Sequence, residues 1–324
     1  MSEESIDKNL KIRFETFKNY IINNNYKFGD YWENAKKTFD VDYVEGNYYS
    51  KGTRNYLPLI YDFHKYDKKN LIKIFENDYI KIGNKKLCTT SNLGNSALIH
   101  CVNYYRLLEK YFGTNIVTCE IGSGSGLLQF ILHHYKKNKS ILIDIPEVMI
   151  NSVALCFTLF PNARVLLPNE ILDDILDIDG YDFIFLFPYQ KNLIKQNSVD
   201  FCFNTQSFME MENKEINEYI QLFNLILKNN GYCFISNRVL KISYFFSYNF
   251  KNNQFKKIFL HIDDFFYNSY KNLSLLNLLL KRDHTKNFYF NIYDYLTGIL
   301  YLKNNELYYW LKVYLKRILR KLIK

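Results

Sequence analysis

A glycine-rich run near the middle of the chain has the residue types and spacing most suggestive of ligand chemistry. It reads Glu120-Ile-Gly-Ser-Gly-Ser-Gly126 and lies between a β-prone run at 116–121 and a helical pattern that starts at Gly126. Glycines at such a turn let the backbone pass close to a ligand and present N–H groups at the helix start. Leu127 replaces the last glycine of a dinucleotide fingerprint, and no Gly-Lys-Ser/Thr of a phosphate-binding loop follows. The turn therefore predicts a ligand without a pyrophosphate to hold.

Two carboxylates are associated with this turn. Glu120 stands two positions before the first glycine, and Asp144 ends the next apolar run, 22 residues after Gly122. An acidic residue followed by alternating glycines resembles the first motif of S-adenosylmethionine (SAM) methyltransferases. Glu120 can attract the sulfonium or amino charge of SAM, and Asp144 can accept hydrogen bonds from both ribose hydroxyls. The structural alternatives are a tight connection without a ligand and, for Asp144, a helix N-terminal cap.

The elements around these residues predict a doubly wound α/β fold with helices on both faces. The resemblance of the turn implies the Rossmann-like sheet of class I SAM methyltransferases. Apolar strands and helices alternate between about 113 and 240. The predicted strands are 116–121, 141–144, 181–187, 199–204 and 232–236; the predicted helices are 126–132, 146–159 and 216–227, the last ending at Asn229-Asn-Gly231. Runs at 258–262 and 288–292 are interpreted as late antiparallel edge strands.

Three regions are expected along the chain. Residues 1–112 form a mainly helical cap with helical spacing at 10–21, 57–75 and 97–112, residues 113–300 form the methyltransferase domain, and residues 301–324 form a basic amphipathic tail.

Four further stretches resemble one methyltransferase family. They are Ile143-Asp-Ile-Pro-Glu147, Pro188-Tyr-Gln190, the run from Ser198 to Met211 that contains Asn-Thr-Gln-Ser-Phe-Met-Glu-Met, and Ser236-Asn-Arg238. In this order they are similar to the sugar O-methyltransferases of bacterial surface-polysaccharide clusters, over roughly residues 115–240. The resemblance implies transfer of a methyl group from SAM to a sugar hydroxyl. The sugar can be nucleotide-linked, lipid-linked or part of a surface polysaccharide, and a phosphate or phosphoramidate acceptor also stays open.

The expected site has three sets of residues. The cofactor set is Glu120, Gly122, Ser123, Gly124, Gly126, Asp144, Ile145, Phe187, Pro188 and Asn204, with Phe187 and Pro188 beside the adenine unless they are plain core. The substrate set is Gln206, Ser207 and Arg238, although Arg238 could equally form a simple salt bridge. A sugar hydroxyl needs a positioned base, for which Glu210 is the leading candidate, with His100 and His261 behind it. Glu210 could instead hold its polar loop together or cap a helix.

Composition narrows the function class only slightly. The net charge of +9 is compatible with an anionic small molecule, nucleic acid or lipid. The six cysteines are far apart and read as buried free thiols, and no metal site is expected. The polar N-terminus and the lack of a bilayer-length apolar run predict a cytoplasmic protein, either free or at the inner face of the membrane.

The C-terminal residues from Leu311 combine an apolar stripe with a basic face. The stripe can be buried against the domain or a second subunit in a homodimer, or the helix can lie on an anionic membrane.

Two other functions compete with sugar methylation. A nucleic-acid methyltransferase is disfavoured because Asn204-Thr-Gln-Ser207 stands where an Asn/Asp-Pro-Pro-Tyr/Phe box is expected, and a non-catalytic methyltransferase-like binding protein is disfavoured by the intact glycine turn.

Overall fold

The computed structural model describes residues 3–23, 41–44, 47–50, 93–172, 176–241, 243–250, 254–263 and 275–300. Its helices are α1 (Glu3–Asn23), α2 (Leu93–Leu108), α3 (Leu127–Lys136), α4 (Pro146–Leu159), α5 (Asn213–Ile226) and α6 (Ile292–Leu300). Its strands are β1 (Val41–Val44), β2 (Asn47–Ser50), β3 (Val117–Ile121), β4 (Lys139–Ile143), β5 (Val165–Leu166), β6 (Phe183–Leu186), β7 (Val199–Thr205), β8 (Leu227–Arg238), β9 (Phe255–Ile262) and β10 (Leu275–Arg282).

Strands β3 to β10 form one eight-stranded sheet in the order β5-β6-β4-β3-β7-β8-β10-β9. Helices α3, α4 and α5, together with short 3-10 helices between β5, β6 and β7, separate successive strands as far as β8, which is the Rossmann-like α/β fold that the alternating pattern predicts. Strand β1 pairs with β2 in a separate antiparallel hairpin. This hairpin lies in the region for which the sequence predicts mainly helix.

The chain divides into two compact units, residues 1–116 with 123–193 and residues 117–122 with 194–324. In the first unit, β6 lies between β4 and β5, and all three strands are parallel. Buried aliphatic and aromatic side chains fill both β4 and β6, as expected for parallel strands covered on both faces. Helix α4 begins at Pro146, where the missing N–H costs nothing, and ends at the predicted residue.

In the second unit, β3, β7 and β8 are parallel, whereas β10 pairs antiparallel with both β8 and β9. The predicted antiparallel edge strand at 258–262 is therefore confirmed as part of β9. The strand predicted at 288–292 is wrong, because residues 288–291 are coil and α6 begins at Ile292. Phe288 and Phe290 pack edge to face at 5.0 Å within an aromatic cluster, so burial rather than sheet pairing explains their alternation. The sequence missed β10 and β5.

The predicted end of helix 216–227 at Asn229-Asn-Gly231 is also wrong. Helix α5 already ends at Ile226, and β8 runs through the three polar residues. The register of β7 against β8 shifts between Val199 and Phe201, where the partner residue moves from Leu227 to Tyr232. Asn230 has φ +66, a conformation that asparagine tolerates. The polar run is therefore an irregularity inside a strand, which sequence cannot distinguish from a turn between elements.

The predicted helices at 57–75 and from 311 onward, together with Cys88, lie outside the described residues. The predicted boundaries near 112 and 300 stay predictions. None of the helices in the described part of the chain is long and apolar enough to cross a bilayer.

Candidate functional site

The three glycines of the turn all have positive φ, +65 at Gly122, +58 at Gly124 and +75 at Gly126. Side chains are strained in this region of the Ramachandran plot, which explains the residue type at all three positions. What surrounds each glycine differs. A Cβ on Gly122 would lie 2.1 Å from the Ser207 Oγ, so this glycine gives room to a protein side chain.

Gly126 likewise serves the packing of the first unit. A Cβ there would lie 2.8 Å from the Phe130 ring and 2.9 Å from Leu142. Gly124 is different, because a Cβ on it would meet no heavy atom of the described residues within 4 Å. Of the three, Gly124 is thus the glycine that borders open space, and it is the position at which a ligand can approach the backbone.

Asp144 immediately follows β4 and holds the open part of the turn. Its Oδ2 accepts a hydrogen bond from the Gly124 N–H at 2.6 Å, and its Oδ1 accepts one from the Ile145 N–H at 2.7 Å. Ile145 is the N-cap of α4 without a side-chain cap bond, so the helix-cap alternative for Asp144 does not describe this arrangement. Ser123 is buried, and its Oγ has no hydrogen-bond partner in the described structure. The Asp144 carboxylate therefore lies against the backbone at Gly124, and the adjacent Ser123 carries a buried, unsatisfied hydroxyl in the described structure.

Phe187 does not have the surroundings expected of a residue beside an adenine. Its side chain is fully buried, and its ring stacks on Phe17 at 6.2 Å and on Tyr20 at 6.3 Å, both from α1. Phe187 is therefore a core residue in this structure. The sequence could not indicate this, because the helix α1 that covers the strand end is distant in the chain. Pro188 is half-buried and starts a short 3-10 helix.

Asn204 on β7 is the centre of a buried hydrogen-bond network in the second unit. Its Nδ2 donates to the Ile121 carbonyl at 2.9 Å and to the Ser207 Oγ. Its Oδ1 accepts from the Phe208 N–H at 3.0 Å and from the Asn237 Nδ2 at 2.8 Å. Two donated and two accepted bonds exhaust the capacity of an amide side chain. These four bonds occupy the donors and acceptors through which Asn204 was expected to contact the cofactor, and that contact stays a prediction.

The same network occupies Ser207. Its Oγ donates to the Ile121 carbonyl at 3.1 Å while accepting from Asn204. The predicted substrate contact at Ser207 therefore competes with a bond that ties the end of β7 to the end of β3.

Thr205 is the last residue of β7, and Gln206 follows it. Glu120 is fully buried, and its Oε1 accepts a hydrogen bond from the Thr205 Oγ1 at 2.7 Å. Gln206 is half-buried and has φ +64, while its N–H donates to the Ser236 carbonyl at 2.7 Å. A glutamine in this strained conformation next to polar strand ends favours a binding role for its side chain.

Glu210 lies in a 3-10 turn at Phe208–Glu210 and forms an ion pair with Lys241. Both side chains are largely buried, with 15% of Glu210 and 9% of Lys241 exposed. Burial lowers the pKa of Lys241, and Arg238 lowers it further, whereas the charge of Glu210 opposes the shift. The ion pair agrees with the loop-holding alternative for Glu210, and its role as a base stays a prediction. The half-buried Arg238 adds a second positive charge.

His100 and His261 are placed less favourably than Glu210 for proton transfer. Burial of His100 on α2 lowers its pKa to about 4, which makes it a weak base at neutral pH. His261 lies on β9, and its ring stacks on Phe259 at 4.7 Å. His261 pairs with Asn277 on β10, which in turn pairs with Ser236 on β8. His261 is therefore three strand spacings away from β7, a distance of about 14 Å at the usual spacing.

Three of these site residues were not predicted from the sequence: Thr205, Asn237 and Lys241. Thr205 lies in the motif Asn-Thr-Gln-Ser and Asn237 in Ser-Asn-Arg. The alternation of side chains along their strands was the signal that could have identified both as site residues. Lys241 pairs with a residue 31 positions away, and no sequence spacing indicates such a contact.

A separate cavity of about 730 Å³ lies in the first unit at the amino ends of β4, β5 and β6. Its lining includes Lys139, Arg164 and Asp182, which stand before or at the start of these strands. Asp144 follows β4, so the cavity lies at the opposite end of that strand from the glycine turn. The described residues contain no group of three or more His, Cys, Asp or Glu side chains that could hold a metal ion.

No protein-family model matches the chain. No curated protein matches it either. Solved structures with a similar arrangement include a geranyl diphosphate C-methyltransferase from Streptomyces coelicolor A3(2) in complex with Mg2+, geranyl diphosphate and S-adenosyl-L-homocysteine. Its identity is 9%, its TM-score is 0.45, and the match covers 65% of this chain and 90% of that chain.

Two further similar structures belong to methyltransferases. A SAM-dependent methyltransferase from Aquifex aeolicus is 12% identical with a TM-score of 0.38, and the match covers 61% of this chain and 95% of that one. A geranyl diphosphate methyltransferase in complex with GPP and sinefungin is 10% identical with a TM-score of 0.42, over 62% of this chain and 84% of that one. Likenesses this distant do not transfer an activity.

Proposed function

We propose that this chain is a SAM-dependent methyltransferase that transfers a methyl group to a hydroxyl of a sugar, either nucleotide-linked, lipid-linked or in a surface polysaccharide. The observation that carries the cofactor proposal is the opening at Gly124, bordered by the Asp144 carboxylate and the Ser123 hydroxyl. SAM offers ribose hydroxyls to a carboxylate and a polar methionine group to a hydroxyl, so Asp144 and Ser123 fit it. Bound SAM would supply an electrophilic methyl group.

The chain's own residues would then bind the acceptor and remove its proton. Gln206 and Arg238 stand at the ends of β7 and β8, which is where parallel sheets bind ligands. Glu210 is the proposed base, and Lys241 is proposed to hold its carboxylate in place. A positioned base contributes on the order of 10²–10⁴-fold to such a reaction. The sugar itself is proposed from the sequence resemblance alone. The lack of a bilayer-length apolar run favours a cytoplasmic location, the missing Asn/Asp-Pro-Pro-Tyr/Phe box disfavours a nucleic-acid substrate, and the apolar stripe from Leu311 could form a homodimer contact.

Calorimetric titration with SAM and S-adenosylhomocysteine tests the cofactor. We expect Asp144→Asn to raise both dissociation constants by roughly 10–100-fold, since the two proposed hydrogen bonds from the ribose hydroxyls to the carboxylate are weakened. Asp182→Asn is the matched control, because Asp182 is a carboxylate that precedes β6 and binds Arg164. The cofactor proposal fails if the wild-type chain binds neither compound, or if both variants behave alike.

Turnover with labelled SAM tests the acceptor. Nucleotide sugars, lipid-linked sugars and surface glycans are offered in parallel with DNA and RNA. Glu210→Gln should lower kcat by at least about 10²-fold with an unchanged SAM dissociation constant, whereas the exposed Glu218→Gln on α5 should match the wild type. Labelling of DNA or RNA alone would replace the sugar proposal by a nucleic-acid methyltransferase, and SAM binding without any turnover would favour a non-catalytic protein.

A further inference from the structure

The cavity of about 730 Å³ in the first unit has an aromatic and aliphatic wall. This wall consists of Leu159, Phe160 and Pro161, where α4 ends. The half-buried Phe160 ring packs edge to face on His133 at 5.2 Å and lies 5.2 Å from the Phe183 ring, so the wall is supported by the core. The volume is within the range of about 300–1,000 Å³ that small-molecule sites occupy.

Positive charge dominates the rest of the lining. It contains Lys137, Lys139 and Arg164 but a single carboxylate, that of Asp182. Asp182 is occupied by Arg164, whose backbone N–H and Nη2 donate to it at 2.9 and 3.1 Å. Lys139 pairs with Asp179, and this pair is weak because the Asp179 side chain is 90% exposed. Within the described residues, the Arg164 Nη1 group and the Lys137 ammonium have no hydrogen-bond or ion-pair partner.

Lys137 stands at a position where a lysine is unfavourable. It is the C-cap of α3 and has φ +58, in the left-handed region that favours glycine or asparagine. A positive charge stabilises the carboxyl end of a helix, but Lys136 in the last turn already provides one without this strain. Asn115, which also lines the cavity, has φ +57. Two left-handed residues in one lining, one of them a lysine, favour a binding role for their side chains.

The lining fits a ligand that has a phosphate group and a flat ring. A guanidinium edge and ammonium groups are the usual partners of phosphate, and an aromatic wall suits a flat ring. The exposed side chains of Asn115 and Asn162 can each donate and accept hydrogen bonds, as the edge of a nucleobase requires.

We infer that this cavity binds a nucleoside phosphate. The phosphate lies against Lys137, Lys139 and Arg164, and the base lies against Phe160. Because the cavity and Asp144 are at opposite ends of β4, this site is separate from the glycine turn, and the inference is independent of the proposed methyl transfer.

Calorimetric titration of the full chain with GDP, UDP and inorganic pyrophosphate tests this inference. Both nucleotides should bind at least about tenfold more tightly than pyrophosphate, which has no ring to place against Phe160. High salt should weaken the binding, because charge pairs hold the phosphate. Phe160→Leu keeps an apolar wall and should lower the affinity for both nucleotides by at least about fivefold while leaving that for pyrophosphate unchanged.

Lys137→Gly separates ligand binding from folding. Glycine relieves the strain at positive φ, so the denaturation midpoint should rise, whereas loss of the ammonium should lower the affinity for GDP by at least about tenfold. Lys137→Arg should keep most of the affinity. The matched control is Lys8→Gln, which removes an exposed lysine of α1 and should bind GDP as the wild type does. Asp144→Asn should also leave GDP binding unchanged.

Four results would overturn the inference. The first is a wild type that binds neither nucleotide, and the second is a Lys137→Gly chain that binds GDP as tightly as the wild type. The third is equal affinity for GDP and pyrophosphate, which would exclude a contact with the base. The fourth is a loss of GDP binding in Asp144→Asn, since the nucleotide would then occupy the glycine turn.

Discussion

Individual residues of the glycine turn differ in what they contribute, although the sequence makes them look equivalent. Gly122 makes room for Ser207, Gly126 makes room for Phe130 and Leu142, and Gly124 faces open space. Two glycines therefore serve packing and one serves access. Substitutions at the three positions should separate folding from ligand binding.

We expect Gly124→Ala to cost about 1–2 kcal/mol of unfolding free energy, the price of a side chain at positive φ, and to weaken SAM binding. Gly122→Ala should cost at least about 1 kcal/mol more, because its Cβ collides with Ser207. Urea denaturation and calorimetry measure the two effects. Adding Ser207→Gly should recover part of the stability lost in Gly122→Ala and none of that lost in Gly124→Ala. Equal stabilities of the two alanine variants would contradict this assignment.

The buried His100 should make the protein sensitive to acid. The pKa of the folded chain's His100 is lowered by burial from 6.5 to about 4, so between these values the unfolded chain binds a proton that the folded chain does not. Stability from this group is present above pH 6.5 and is lost as the pH falls, by about 3 kcal/mol at pH 4.

Denaturant unfolding at several pH values measures this dependence on His100. His100→Gln should flatten the profile between pH 6.5 and 4, whereas replacement of the exposed His284 by glutamine should leave it in place. A wild type whose stability is constant across this range would refute the prediction.

At the scale of the elements, Arg13 provides a set of polar contacts between α1 and the rest of the first unit. Its guanidinium donates to both Glu170 oxygens, at 2.8 and 2.6 Å, and to the Val165 carbonyl at 2.8 Å. It also lies 5.5 Å from the centroid of the Phe157 ring on α4. Because α1 in turn covers Phe187, this one residue helps to close the core at the end of β6.

Arg13→Ala should therefore lower the unfolding free energy by about 1–3 kcal/mol, and Arg13→Lys should recover less than half, because an ammonium cannot form the planar pair with a carboxylate. Chemical denaturation provides the numbers. Lys8→Ala, an exposed residue of the same helix, is the control and should change stability by less than about 0.5 kcal/mol. Full recovery by lysine would show that charge alone, rather than geometry, connects the helix.

For the molecule as a whole, a row of buried thiols crosses the second unit. Cys119 on β3 is in register with Cys202 on β7, which is in register with Cys233 on β8. All three are fully buried, as is Cys156 on α4 of the first unit. Burial raises the pKa values of Cys156, Cys202 and Cys233, which removes the reactive thiolate form.

In a Cys88→Ser/Cys101→Ser background, we expect these four thiols to react with a maleimide only as fast as the protein unfolds. Mass spectrometry after timed labelling should show their rates rising together with denaturant. A native-state reaction of one of the four within seconds would mean that its strand opens independently.

Much of the fold follows from the sequence alone. Continuous apolar runs can be stable only inside a covered parallel sheet, so β3, β4, β6, β7 and β8 are recognisable from composition and length, and Pro146 gives the start of α4. Strand β10 and the irregularity at Asn229-Asn-Gly231 were not recognisable, because pairing partners far away in the chain decide both.

The sequence also specified the glycine turn and Asp144, since positive φ and a carboxylate after a strand depend on local residue types. Three features were decided only by the tertiary structure. The side chains of Asn204 and Ser207 donate hydrogen bonds to the Ile121 carbonyl. Glu210 forms an ion pair with Lys241, and α1 covers Phe187. Hydrogen-bond capacity and burial are properties of surroundings assembled from distant segments, and for that reason no local pattern in the chain carries them.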